Sequence, residues 1–142
     1  MRELARRVRL SIFALKNAVD DLVEEGILVE RREGRLRYLR ANMENLFFKR
    51  LKIAFSVKKL MDSGIVSYFK ESFPALSSVV LFGSMSKGED DRKSDVDILV
   101  MGQKLERIDV SDFEGKLGRK IELTVLRWSE WRKKAKDDRA FY

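Results

Sequence analysis

The sequence predicts a mixed α/β (α+β) chain in which a small helix-and-hairpin module over residues 1–42 leads through a helical connector, residues 43–73, into a small mixed sheet flanked by helices, residues 74–142. Three observations predict it. Apolar residues recur at helical spacing, punctuated by glycine, in two stretches before residue 73. Three short apolar or β-branched runs follow between residues 77 and 126. The charge is also divided: residues 1–60 hold 15 basic and 8 acidic side chains and residues 61–142 hold 15 of each, so the whole net charge of +7 lies in the first part. A basic module joined to a neutral one points to polyanion binding beside a second task.

Composition excludes whole classes of chemistry. With 142 residues, 44% hydrophobic and 37% charged, the chain is long enough for a packed core and too apolar to be disordered. It has neither Cys nor His. That removes disulfides, thiolate and imidazole metal sites, iron–sulfur clusters and every nucleophile that needs an imidazole base. Catalysis must run on carboxylates, hydroxyls and amines. No apolar run approaches a membrane span and the first residues lack a signal peptide's apolar stretch, so the expectation is a cytoplasmic protein with no membrane partner.

Residues 2–8 make a short helical pattern with Leu4, Ala5 and Val8 on one face. After a turn at Arg9 and Leu10, Ser11 is the expected N-cap of a second helix. Leu15, Ala18, Val19 and Leu22 form its apolar stripe before Gly26 stops it. Residues 27–39 read as two strands around a Glu-Gly turn, with arginines on and beside the tip. This order over residues 2–41 resembles the winged helix-turn-helix of transcription regulators. The resemblance implies duplex DNA as partner. Ser11, Phe13, Lys16 and Asn17 would face bases, and Arg31, Arg32, Arg35 and Arg37 would be the wing's phosphate or minor-groove contacts. Members of that family carry a further helix before the first one here. An apolar face is therefore expected to be covered by the helix at 43–62, by a second copy of the chain, making a homodimer, or by a segment lost to a start codon placed too late.

From Met43 to Phe73 a broad apolar stripe runs among lysines, bent or broken at Gly64 and ended before Pro74, the only proline. Ser77–Phe82 is then a buried strand that ends in Gly83-Ser84, and Ser94–Val100 is another. Asp95 and Asp97 share one face of that second strand by alternation. Like charges so close repel unless a cation lies between them, and a pair of carboxylates without His suits a hard divalent ion, Mg²⁺ first. Glu122, in the apolar run 120–126, is a third acid that could sit beside the pair. Asp90 and Asp91, beside Arg92 and Lys93, read as a solvated loop tip. Trp128 onward reads as a helix with aromatic anchors.

Gly83-Ser84-Met85-Ser86-Lys87-Gly88, five residues, then Ser94-Asp95-Val96-Asp97 closely resembles the signature of the minimal nucleotidyltransferases of the DNA polymerase β superfamily. The resemblance covers residues 77–142. It implies that Gly83, Ser84 and Lys87 bind nucleotide phosphates. It also implies that Asp95, Asp97 and Glu122 hold Mg²⁺ (or Mn²⁺), and that a nucleoside monophosphate passes from an NTP, ATP first, to an acceptor hydroxyl. Many minimal nucleotidyltransferases are antitoxins that adenylylate a partner toxin bearing a helical HEPN domain, which makes such a toxin the expected protein partner. A second reading, of another class, is a DNA-binding regulator whose C-terminal half only senses nucleotide or binds a protein.

Overall fold

A computed structural model describes residues 2–34, 36–73, 75–103 and 108–137, the last four as backbone alone. The chain has the mixed α/β class expected, and divides into two compact units, Met1–Arg50 and Leu51–Tyr142.

In the first unit, α1 (Arg2–Val8) and α2 (Ile12–Glu24) precede an antiparallel hairpin, β1 (Leu28–Glu33) and β2 (Leu36–Ala41). Ser11 caps α2, its Oγ accepting the Ala14 N–H at 3.1 Å. Gly26 ends the helix region at φ +70°, a left-handed conformation in which a Cβ is strained. A small core of Ala5, Leu15 and Val19 forms beneath the hairpin residues Leu28 and Leu39. Asn42 and Asn45 both donate from their side-chain amides to the Gly26 carbonyl, tying the end of the hairpin to the end of α2.

The connector is two helices. α3 (Leu46–Ser63) and α4 (Ile65–Ser72) meet at Gly64, whose φ of +84° breaks the run. α4 stops one residue before Phe73, which is extended as expected for the residue ahead of a proline; Pro74 itself lies outside the described residues.

The sheet of the second unit is β3 (Ser78–Leu81), β4 (Val96–Met101) and β5 (Ile121–Leu126), with β4 central, antiparallel to β3 and parallel to β5. α5 (Gly83–Lys87) links β3 to the loop before β4, and α7 (Trp128–Asp137) follows β5. A parallel pair needs a crossover. Here it contains α6 (Ser111–Leu117), a helix the sequence reading did not single out.

β4 is covered on both faces. Val96, Ile98 and Val100 pack with Ile65, Phe69 and Phe73 in the main core, while Leu99 and Met101 pack with Leu126, partly covered by Phe82 and Trp131. Alternation puts Asp97 on the second of these faces, at the end where the apolar covering gives out. No helix among the described residues is long and apolar enough to cross a membrane.

Candidate active site

The site is built where β3 hands the chain to α5. Phe82 is still extended and donates its N–H to the Asp97 carbonyl at 3.0 Å, continuing the β3–β4 pairing by one residue. At Gly83 the backbone turns to φ +68°. A Cβ there would stand 1.9 Å from Oδ2 of Asp97, so the missing side chain and the carboxylate occupy complementary space. Ser86 closes the turn from within, its hydroxyl donating to the Gly83 carbonyl at 2.8 Å. Gly88, at φ +70°, ends the helix. Ser84 is half-buried beside the turn, and Lys87 is exposed in the last turn of α5.

Asp97 and Glu122 are register partners on adjacent parallel strands. Neighbouring strands lie about 4.8 Å apart and register partners share a face, so both side chains leave the sheet on the same side from adjacent positions. Asp97 is half-buried and Glu122 exposed. Asp95 lies just ahead of β4 rather than on it, half-buried, so its placement is set by the preceding loop and not by the strand ladder.

The three carboxylates have no ion-pair or hydrogen-bond partner among the described residues. Carboxylate oxygens without a cationic side-chain partner, those of Asp97 lying against the Gly83 turn, match the chemistry of a hard cation. No three acidic groups among the described residues are gathered closely enough to hold one metal ion as they stand. The donor type of all three acids, and the shared register of Asp97 and Glu122, suit such an ion.

The loop before β4 corrects one expectation. Asp90 is not a solvated tip: it is 6% exposed, with Lys52 Nζ 3.0 Å from Oδ1 and an Arg119 guanidinium nitrogen 3.0 Å from Oδ2. Nothing local signals this, because the partners lie 38 and 29 residues away in sequence. Asp91 is exposed but organises the loop, accepting from the backbone N–H groups of Lys93 and Ser94 at 2.8 and 3.0 Å. Those bonds, with the Ser94 hydroxyl, hold its carboxyl below the usual range.

In the first unit, Phe13, Lys16 and Asn17 are exposed together near the start of α2, Phe13 to 74%. Ser11 is also exposed, although its Oγ is engaged as the helix cap. The expected wing cations are less free than the sequence suggests. Arg31 pairs with Glu33 and Arg32 with Glu30. Arg37 bonds Glu30 Oε2 at 2.8 Å and Asp20 Oδ1 at 2.7 Å, with its side chain only 19% exposed. It ties the hairpin to α2 rather than presenting a free charge, which also gives Asp20 a structural role. The Arg32 and Arg37 guanidinium groups hold the Glu30 carboxyl below its ordinary value. Arg35 lies outside the described residues.

The nucleotidyltransferase domain family has a model that matches residues 62–139, more than half of the chain. No curated protein matches. Among solved structures, the chain is similar to a candidate nucleotidyltransferase from Sulfolobus solfataricus, a crystal structure at 1.40 Å resolution. The identity is 24% and the TM-score 0.41, over 65% of this chain and 85% of that one.

Proposed function

We propose, from the premise that this chain belongs to the nucleotidyltransferase domain family, that it transfers a nucleoside monophosphate from an NTP to an acceptor hydroxyl. The observation that carries the reading is the meeting of the Gly83 turn, the Asp97 carboxylate and Glu122 at one end of the sheet. Mg²⁺ or Mn²⁺, bound by Asp95, Asp97 and Glu122, would supply neutralisation of the triphosphate and of the departing pyrophosphate.

The chain's own groups do the rest. The Gly83 and Ser84 amides, at the start of α5, have no intrahelical acceptor and are available to phosphate oxygens. The Ser84 hydroxyl adds a donor, and Lys87 a positive charge, from the same short element. Glu122, exposed and in register with Asp97, would take the acceptor's proton as the acceptor oxygen forms a bond to the α-phosphorus and the bond to pyrophosphate breaks. In this reading the nucleotide is ATP, and the acceptor is a side-chain hydroxyl on a partner toxin with a HEPN domain.

The test is direct. Purified full-length protein with Mg²⁺ and α-labelled ATP is expected to label such a partner and release pyrophosphate in equal amount. No labelling of any hydroxyl acceptor, with no thermal shift on adding MgATP, would leave only the second reading, a regulator with an inactive nucleotidyltransferase-like half. The specific observation favouring that alternative is that the three acids are not already gathered around one point.

The first unit is proposed to bind duplex DNA through the exposed start of α2 and the hairpin. The support is the excess of 12 basic over 8 acidic side chains in residues 1–50, with Lys16 and Asn17 exposed near the start of α2. The affinity should fall steeply with salt, log K against log salt having a slope of about −0.9 per phosphate neutralised. Lys16→Ala is expected to flatten that slope by about one unit, whereas Arg37→Ala should lower the stability of the unit. A salt-independent isotherm in fluorescence anisotropy would remove DNA as the partner.

A further inference from the structure

Asp90 is the one charged residue buried in the described part of the chain, and neither the strand register nor the Gly83 turn accounts for it. It sits in the loop between α5 and β4, which ends at Asp95. Lys52, on α3, approaches Oδ1 and also donates to the Asp90 backbone carbonyl. Arg119, two residues before β5, divides its guanidinium. One nitrogen lies 3.0 Å from Asp90 Oδ2, and the other donates at 3.0 Å to the carbonyl of Ser94, the residue immediately before Asp95. The Lys52 and Arg119 side chains are each about one-fifth exposed. On the far side of the same loop segment, the Val96 N–H donates to the Lys120 carbonyl at 2.8 Å.

Asp95 therefore has a fixed backbone on both sides although it lies outside the strand ladder. A guanidinium presents its N–H donors in a rigid planar fork, so a nitrogen held on one acceptor fixes the direction of the others. The buried carboxylate supplies that acceptor and sets the fork so that the other half grips Ser94. A carboxylate this far out of water is retained at a desolvation cost that only its two cations offset, so its removal leaves both cations without the partner they were folded around.

We infer that Asp90 is a positioning residue: clamped by Lys52 and Arg119, it holds the loop so that Asp95 stands in line with Asp97 and Glu122. The inference rests on the nucleotidyltransferase reading for its purpose, but the clamp is measurable without it.

The experiment compares the full-length chain with its Asp90→Asn variant in two readouts. Amide hydrogen exchange over residues 91–95, well below the melting temperature, should be faster in the variant by about tenfold or more. Exchange at Ile98–Val100, in the centre of β4, should be unchanged. Mn²⁺ affinity, measured by calorimetric titration without nucleotide, should weaken by about tenfold, within the range found when outer-shell partners of metal ligands are removed.

Unchanged exchange over 91–95, or faster exchange with unchanged Mn²⁺ affinity, would overturn the positioning role. If the wild-type chain binds no Mn²⁺ at all, the exchange result alone decides the clamp, and it is the cation reading of the site that falls. Should Asp90→Asn fail to fold, Arg119→Lys replaces it. That variant keeps a charge beside Asp90 and loses the fork, so Ser94 is released; the same two readouts are expected to move in the same direction, and constant values would overturn the inference.

Discussion

Replacing Asp97 by Asn should lower nucleotidyl transfer by about 10²-fold or more while leaving the fold intact. Asn has the shape of Asp, and the Asp97 carboxylate has no ion-pair partner among the described residues to be stranded by the change. The backbone carbonyl that accepts from Phe82 is untouched. Stability should therefore change by no more than about 0.5 kcal/mol, as for a substitution away from the core. The charge, however, is what a divalent cation needs. An interaction worth about 3 kcal/mol in the transition state corresponds to a factor of about 10² in rate. The measurement is the rate of label transfer at saturating MgATP beside a urea unfolding curve. Wild-type turnover from a variant with a wild-type unfolding curve would show that Asp97 takes no part in the chemistry.

Gly83→Ala is expected to destabilise the chain at the β3–α5 turn itself. Two costs add. The residue holds φ +68°, which costs a side-chain-bearing residue about 1–2 kcal/mol. The new Cβ would stand 1.9 Å from Asp97 Oδ2 and 2.7 Å from its carboxyl carbon, closer than any real contact. Relief requires moving either the carboxylate or the β3–α5 turn, and overpacking of this kind costs about 1–3 kcal/mol. The expected loss is about 2–5 kcal/mol in urea unfolding, together with loss of transfer because the displaced group is Asp97 itself. The double variant Gly83→Ala with Asp97→Gly should regain much of the stability and none of the activity. A Gly83→Ala chain as stable as wild type would mean that the turn and the carboxylate do not compete for the same space.

Much of this architecture was legible because it is local. Ser11 capping α2 and Gly26 and Gly64 ending helical runs each depend on residues within a few positions, and the structure places each one there; the hairpin is also present, but Glu33 belongs to β1 opposite Leu36 and not to the turn. The strands around Gly83 and Asp97 were legible for the same reason, since apolar and β-branched runs declare themselves. Asp95 is expected on a strand because it lies within the apolar and β-branched run 94–100, where alternation puts it on the Asp97 face. It falls just outside, because β4 pairing begins at Val96 and the loop before it is held by Asp91 and Arg119 instead. α6 escaped notice because Ser111–Leu117 is short and none of its residues is fully buried, so its apolar signal is weak.

By itself the amino-acid order determined the class of fold, the chemistry left open once Cys and His are absent, and the Gly-Ser and Asp-x-Asp segments on which the family resemblance rests. The tertiary structure alone decided which charges are free. Arg37 looks like a wing contact and Asp90 like a loop tip, yet both are held by partners 7 to 38 residues away. Charge pairing depends on distance in space and on exclusion of water, and neither is written in the local spacing of residues.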